Sequence, residues 1–352
     1  MPAPSENIVL LVPGFPENEN DSICIPALQQ YVFHLRQTYP DLNLSVIAFQ
    51  YPYAGGNYRW HEIPVYACNG SGSGLLKRMS TWIKAVWYFL KTRKTGRVSL
   101  IHSFWLEECA LVGQYLSALF KTKHIATIMG QDARPANRYL KHLNFDKMCL
   151  TCPSQFAAET FREATGKTVD HIIPIGLDTV HFDNKKISTE RDFDILGVGA
   201  LTQLKNYRLF VNIIAELAAE FPDLRCAIIG DGPEKGILMG LIRKHQLEDH
   251  LQLIGELPRP EVIRCMYRSK ILLHPSSYES QGYVFMEALY CGMPVVSFPV
   301  GSASPSDFFR VCENEETMLT NLRELLNSEA PIEPRLIKSI DETVMEYWQL
   351  YH

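Results

Sequence analysis

No stretch of this 352-residue chain is apolar for the roughly twenty residues that a membrane-crossing helix needs. The apolar run Ile8 to Val12 is short and has no basic flank before it, so it reads as a first strand and not as a secretory signal. Neither sign of charge dominates. The 34 lysines and arginines face 39 acids, and a net charge of -5 gives no general attraction to nucleic acid. Zinc-ligand spacing is also missing. Cys149 and Cys152 form a close pair, but no second pair and no His-x-x-x-His follows, which favours a chance core pair over zinc. No Asp-x-Asp sits at a strand end, so no obligatory metal is expected. No Gly-x-Gly-x-x-Gly opens a helix after a strand, which disfavours a plain dinucleotide oxidoreductase. Nine cysteines scattered along the chain suggest a reducing compartment and inert, buried thiols.

What is present is an ordinary globular composition, 46% hydrophobic and 21% charged, long enough for two domains with separate cores. ENIVLLVPGFP, LSVIAFQYP, VSLIHSFW and HIATIMG read as strands. IPALQQYVFHLRQTYP and LEECALVGQYLSALFKT read as helices among them. This is the rhythm of a parallel sheet covered on both faces. The rhythm restarts at FDILGVGAL, after a linker read at 177–191, and runs through LRCAIIGDG, LQLIGEL, KILLHPSS and PVVSFPV with helices between them. The expected class is α/β, with two Rossmann-like parallel-sheet domains facing across a cleft. The first covers 1–177 and the second 178–334, with a C-terminal helix over 335–352. Ligands of such sheets bind beyond the carboxyl ends of the strands.

The most informative stretch is His274 to Gly292, HPSSYESQGYVFMEALYCG. It reads as a strand end, a tight loop and a helix. Gly282, Tyr283 and Val284 bring backbone N–H groups and a helix N-terminus to one place, where an anion is held. Glu287 falls about one turn into the helix, where a carboxylate can take two hydrogen bonds from a ribose diol. Glu279 lies in the loop and can touch whatever is attached to the anion. Phosphate, ribose and a polyhydroxylated group together have the shape of a sugar nucleotide.

These residues, with the Cys-Gly-Met-Pro-Val-Val that follows, resemble the signature of the retaining glycosyltransferases of family 4, the glycosyl transferases group 1. The resemblance covers Phe193 to Gly301 well and the N-terminal half in outline. It implies a GT-B fold, a nucleotide-sugar donor as co-substrate without cofactor or obligatory metal, and front-face transfer to a glycan or lipid-linked acceptor. It implies that Lys205, Glu279 and His102 are catalytic. Gly14, Gly199, Lys205, Gly255, Leu257, Glu279, Gly282, Tyr283, Val284 and Glu287 are implied on the donor, with Asp132 and Arg134 on the acceptor or sugar side. Two family residues are replaced: an arginine by Ala200 and a histidine by Met129. Arg208 and Arg264 are the cations considered for the arginine's place, and His102 for the histidine's.

The segment 75–97 gathers Trp82, Trp87, Tyr88 and Phe89 with Lys77, Arg78, Lys84, Lys91, Arg93, Lys94 and Arg97. Such a helix can lie on an anionic bilayer. This is favoured over an ordinary domain helix with a basic exposed face. The expected setting is cell-envelope polysaccharide synthesis, in the cytoplasm or peripheral on the inner membrane face. Two alternatives stay open: another GT-B enzyme such as a nucleotide-sugar epimerase, and a catalytically weak donor-binding subunit.

Overall fold

A computed structural model describes residues 7–70, 74–180, 182, 191–328 and 333–352. The linker read at 177–191 lies largely outside the described residues. The chain divides into two compact units, one of Met1–Gly176 with Lys338–His352, the other of Leu177–Ile337.

In the first unit β1 (Asn7–Gly14) leads to α1 (Pro26–Thr38), β2 (Asn43–Tyr51), β3 (Gly56–Trp60), β4 (Ile63–Ala67) and α2 (Leu75–Arg93). Then come β5 (Val98–Phe104), α3 (Glu108–Phe120), β6 (Lys123–Thr127), β7 (Cys149–Cys152), α4 (Gln155–Thr165) and β8 (His171–Ile172). The sheet order is β3-β4-β2-β1-β5-β6-β7-β8, parallel except for the β3–β4 hairpin at its edge. Central β1 is buried on both faces, which is why its sequence runs apolar without alternation. On one face Val9, Leu11, Ile47 and Phe49 pack on Ala85 and Phe89 of α2 and on Val112 and Leu116 of α3. Cys149 and Cys152 belong to β7, and all nine cysteines are free thiols.

The second unit runs β9 (Phe193–Val198), α5 (Tyr207–Glu220), β10 (Cys226–Ile229), α6 (Lys235–Lys244), β11 (Leu251–Gly255) and α7 (Arg259–Tyr267). It continues with β12 (Ser269–His274), α8 (Tyr283–Tyr290), β13 (Val295–Ser297), β14 (Phe309–Val311) and α9 (Glu315–Leu326). Its sheet is parallel, in the order β11-β10-β9-β12-β13-β14. The order reverses between β9 and β12, which opens the ligand crevice of a doubly wound sheet beyond the ends of these two strands. One face is filled by Phe210, Ile214 and Leu217 of α5 and by Leu322 of α9, packed on Ile195, Ile228 and Val296.

The helix expected over 335–352 begins later, at Ile340, and forms α10 (Ile340–Tyr351). Ser339 starts it with a capping box to Glu342, which satisfies two amides that would otherwise be orphaned. α10 packs on the first sheet through buried hydroxyls. Tyr351 Oη lies 2.5 Å from Tyr31 Oη and 2.8 Å from His102 Nδ1. Tyr347 Oη bridges Thr127 and Thr151 at 3.2 and 3.1 Å. His102 was expected at a strand end, open to substrate. It sits inside β5 with no exposed surface, and Nε2 meets Thr127 Oγ1 at 2.7 Å. Burial, then nearby His124, pushes its pKa well below the ordinary histidine value. Its place is a structural one in the seat of α10, and this corrects the catalytic reading.

Candidate functional site

Two loops meet at the crevice of the second sheet. The loop after β9 makes one turn through Gln203–Lys205 before Asn206, at φ 52°, starts α5. The loop after β12 is tied to it. Ser277 N–H and Ser276 Oγ both donate to the Leu204 carbonyl, at 2.8 and 3.0 Å. That tie sets Lys205 beside Glu279, with Nζ 2.5 Å from Oε1 and both side chains largely buried. His274, the last residue of β12, puts Nε2 2.7 Å from the same oxygen. Burial alone raises a carboxyl pKa; the hydrogen bond from His274 and the charge of Lys205 outweigh it and hold Glu279 at about 2. Glu279 is therefore an anion with one oxygen committed to these two donors.

Gly282 caps α8 in the left-handed region, at φ 75°. A Cβ there would lie 2.3 Å from the Phe285 ring, so both backbone and space demand glycine. The amides of Tyr283 and Val284 open the first turn. One turn on, Glu287 lies almost buried, and its Oε1 is 3.0 Å from Arg259 Nη2. Burial raises the Glu287 pKa, and Arg259 offsets part of that. Arg259 also lies over the Tyr283 ring, 5.6 Å from its centroid. This cation was not singled out in the sequence, because it lies 28 positions from its partner on another helix. Arg208 is spent on Glu234 at 3.1 and 2.5 Å, and Arg264 on Glu261, so neither considered cation reaches the site unpaired.

The glycines after β9 and β10 serve close packing. A Cβ on Gly230, at φ 144°, would meet the Gly199 carbonyl at 2.0 Å. Ala200 is exposed at the end of β9. Gly255, at φ 91°, ends β11 and accepts from Gly230 N–H at 2.8 Å, and Leu257 follows in the next loop.

In the first unit Gly14 is buried against Tyr51 and Cys24, and the loop behind it is braced by Asp21 rather than open. Asp132 also departs from expectation. It is 1% exposed, and its carboxylate takes the N–H groups of Leu106 at 2.8 Å and Gly130 at 2.6 Å, so it braces the chain after β6. That corrects its placement on the acceptor side. Arg134 is half-buried next to it and donates to Gln131. Beside them is a cavity of about 430 Å³ that includes Pro13, Gln50, Trp105, Glu107, Glu108 and Tyr139. It lies where this sheet's order also reverses, between β1 and β5. Trp105 holds φ 68°, rare for an aromatic residue. Among the described residues no cluster of histidine, cysteine and acidic groups could hold a metal ion.

Structural likeness decides the architecture. A sucrose-phosphate synthase from Thermosynechococcus elongatus superposes with a TM-score of 0.74 at 17% identity, covering 98% of each chain. Anabaena HepE, solved with UDP and glucose, gives 0.72 at 16% identity over 97% of this chain and 98% of that one. The fold is GT-B. Within it, residues 180–305 match the family model of glycosyl transferases group 1. The gpi3 subunit of phosphatidylinositol N-acetylglucosaminyltransferase from Schizosaccharomyces pombe is 30% identical over 53% of this chain and 42% of that protein. A human component of the same transferase is 30% identical over 47% of this chain and 35% of that protein. The matches thus span less than half the length of either relative. The stretch that the family model matches carries Lys205, Glu279 and Glu287.

Proposed function

We propose that the chain is a glycosyltransferase that moves a sugar from a nucleotide-diphosphate sugar to a glycan or lipid-linked acceptor, with retention and without a metal. The observation that carries this is the Lys205–Glu279 pair, held beside the α8 N-terminus at the switch point of the second sheet. An ammonium has three N–H donors. One is engaged by Glu279, and two remain for the diphosphate, whose charge grows as the sugar leaves. The amides of Tyr283 and Val284 add to that stabilisation. The second oxygen of Glu279 orients sugar hydroxyls, and Glu287 takes the ribose diol beside Arg259. With front-face attack a donor phosphate oxygen accepts the acceptor's proton, so no side chain is needed as nucleophile. The naming of relatives for N-acetylglucosaminyl transfer, and the UDP in HepE, favour a UDP-linked sugar.

Acceptor binding is assigned to the cavity around Trp105 and Glu107, in place of Asp132. Its volume falls within the usual range for small-ligand sites. α2 supplies the membrane contact. Leu76, Met79, Ile83, Trp87 and Leu90 form an exposed apolar stripe at helical spacing, with Lys77, Lys84 and Lys91 along one side. Among the described residues no helix is long and apolar enough to cross a membrane.

The test is incubation with UDP-N-acetylglucosamine, UDP-glucose and GDP-mannose while following free nucleotide. Slow release from one donor is expected, and no binding of any donor overturns the reading. Ala200 and Met129 support a second reading, a donor-binding subunit without turnover. It predicts donor binding with no release even when acceptors are added.

A further inference from the structure

His274 has no place in the scheme above, yet it is a fully enclosed titratable residue of the site. It is 1% exposed and ends the strand from which the Glu279 loop starts. Its Nε2 lies 2.7 Å from Glu279 Oε1, the oxygen that also receives Lys205. Its ring stands edge-on to Phe285 of α8 at 5.0 Å between centroids. Nδ1 is buried and has no hydrogen-bond partner among the described residues.

These contacts fix the tautomer. An ionised carboxylate only accepts, so the proton between the two groups belongs to Nε2. Nδ1 then carries a bare lone pair in an apolar setting. A proton there would bury an unpaired, charged N–H, at much greater cost. Burial, the largest effect, and nearby Lys205 both keep the imidazole neutral. The groups facing Glu279 are therefore Lys205 from the β9 loop, Tyr207 at the start of α5, and His274 from β12.

We infer that His274 is a positioning residue of this site: through its Nε2–H it holds one oxygen of Glu279 so that the other faces the transferred sugar. This rests on the donor-site reading and deepens it. Lys205 is shared between Glu279 and the donor phosphates, so it cannot orient the carboxylate alone. The neutral donor on the strand end can, because it has no other partner to follow. Without it the carboxylate can rotate about its contact with Lys205, and its second oxygen loses its aim at the sugar while the diphosphate keeps its cation.

Two measurements on the full chain test this. The first needs no substrate. In protein labelled with ¹⁵N-histidine, with the His274 signals assigned by comparison with His274→Gln, the ring should show one protonated nitrogen, Nε2, between about pH 5 and 8. The pattern should change in Glu279→Ala. An imidazolium, an Nδ1–H tautomer, or a spectrum indifferent to Glu279→Ala overturns the inference. The second compares His274→Leu, which cannot donate, with His274→Gln, whose amide can. His274→Leu should slow release of UDP from UDP-N-acetylglucosamine by about tenfold or more, with UDP affinity within about twofold of the parent. His274→Gln should recover most of the rate. Equal losses in the two variants, or a parallel fall in UDP affinity, would show a packing role only. If the parent chain binds no UDP, the functional reading fails, and the ring spectrum still decides the His274–Glu279 contact.

Discussion

On the donor-site reading proposed above, Ala200 leaves the positive charge at the diphosphate to Lys205 and the α8 amides. Lys205→Ala should therefore cut transfer by about a hundredfold or more, the size of effect seen when one preorganised donor is removed. Retained turnover would show that another cation carries the leaving group. Arg208, Arg264 and Arg259 are each paired, with Glu234, Glu261 and Glu287 in turn, so such a cation would have to leave its partner. Ala200→Arg distinguishes the cases: tighter UDP binding marks an open place, weaker binding a filled one. Glu287 tests the ribose side. Glu287→Gln should weaken UDP binding by about tenfold, because a bond to a charged acceptor is lost. Glu287→Ala should also lower stability by roughly 3–5 kcal/mol, since it strands the half of a buried pair that Arg259 contributes. Unchanged UDP affinity in calorimetry for both variants would remove Glu287 from the donor site.

Elements differ in how plainly the sequence shows them. A central strand such as β1 is a nearly continuous apolar run, and the tight loop between β12 and α8 carries Gly, Pro and Ser. Hence the Glu279–Glu287 loop was legible. The hairpin β3–β4 was not, because its edge strand GNYRW is mostly exposed and lacks a buried pattern. His102 and Asp132 misled for a related reason. A polar residue near a strand end looks like a site residue until its partners are known, and one of those of His102, Tyr351, lies on α10, 249 positions away. α2 is the opposite case, since its exposed stripe needs the fold to tell core from surface. Trp82 and Phe89 face inward, while Ile83 and Trp87 are 67% and 56% exposed. Anionic vesicles should therefore bind the chain, and salt should release it. Exchanging Ile83 and Trp87 for serine should lose vesicle binding while UDP affinity stays. Lys91→Ala and Arg93→Ala should weaken it by about 1 kcal/mol each. Equal sedimentation with neutral and anionic vesicles, or none with either, would reject the membrane role of α2.

At the scale of the whole molecule, the buried histidines tie stability to pH, and they are unevenly divided. His102 and His124 lie in the first unit and His274 in the second. Burial, the largest cause in each case, holds all three below the ordinary value, with His124 at about 3. The sign follows from proton uptake. Below about pH 6.5 the unfolded chain protonates these rings while the folded chain does not, so acid favours unfolding. At pH 5 each ring contributes a loss of up to roughly 2 kcal/mol, from 1.36 kcal/mol per pH unit. Glu279 adds a smaller loss in the second unit at lower pH. Its pKa, depressed to about 2, contributes stability above the unfolded carboxylate value near 4.3 that disappears as pH falls toward 2. The first unit should therefore weaken more between about pH 7 and 5. Hydrogen exchange followed by mass spectrometry reads the units separately. Protection in β5 and β6 should fall more than in β9 and β12 over that interval. His124→Gln should reduce the difference, because its amide can still meet Ser103 but takes up no proton. Equal loss in both units, or a first unit that keeps its protection at pH 5, would mean that these rings are charged in the folded protein.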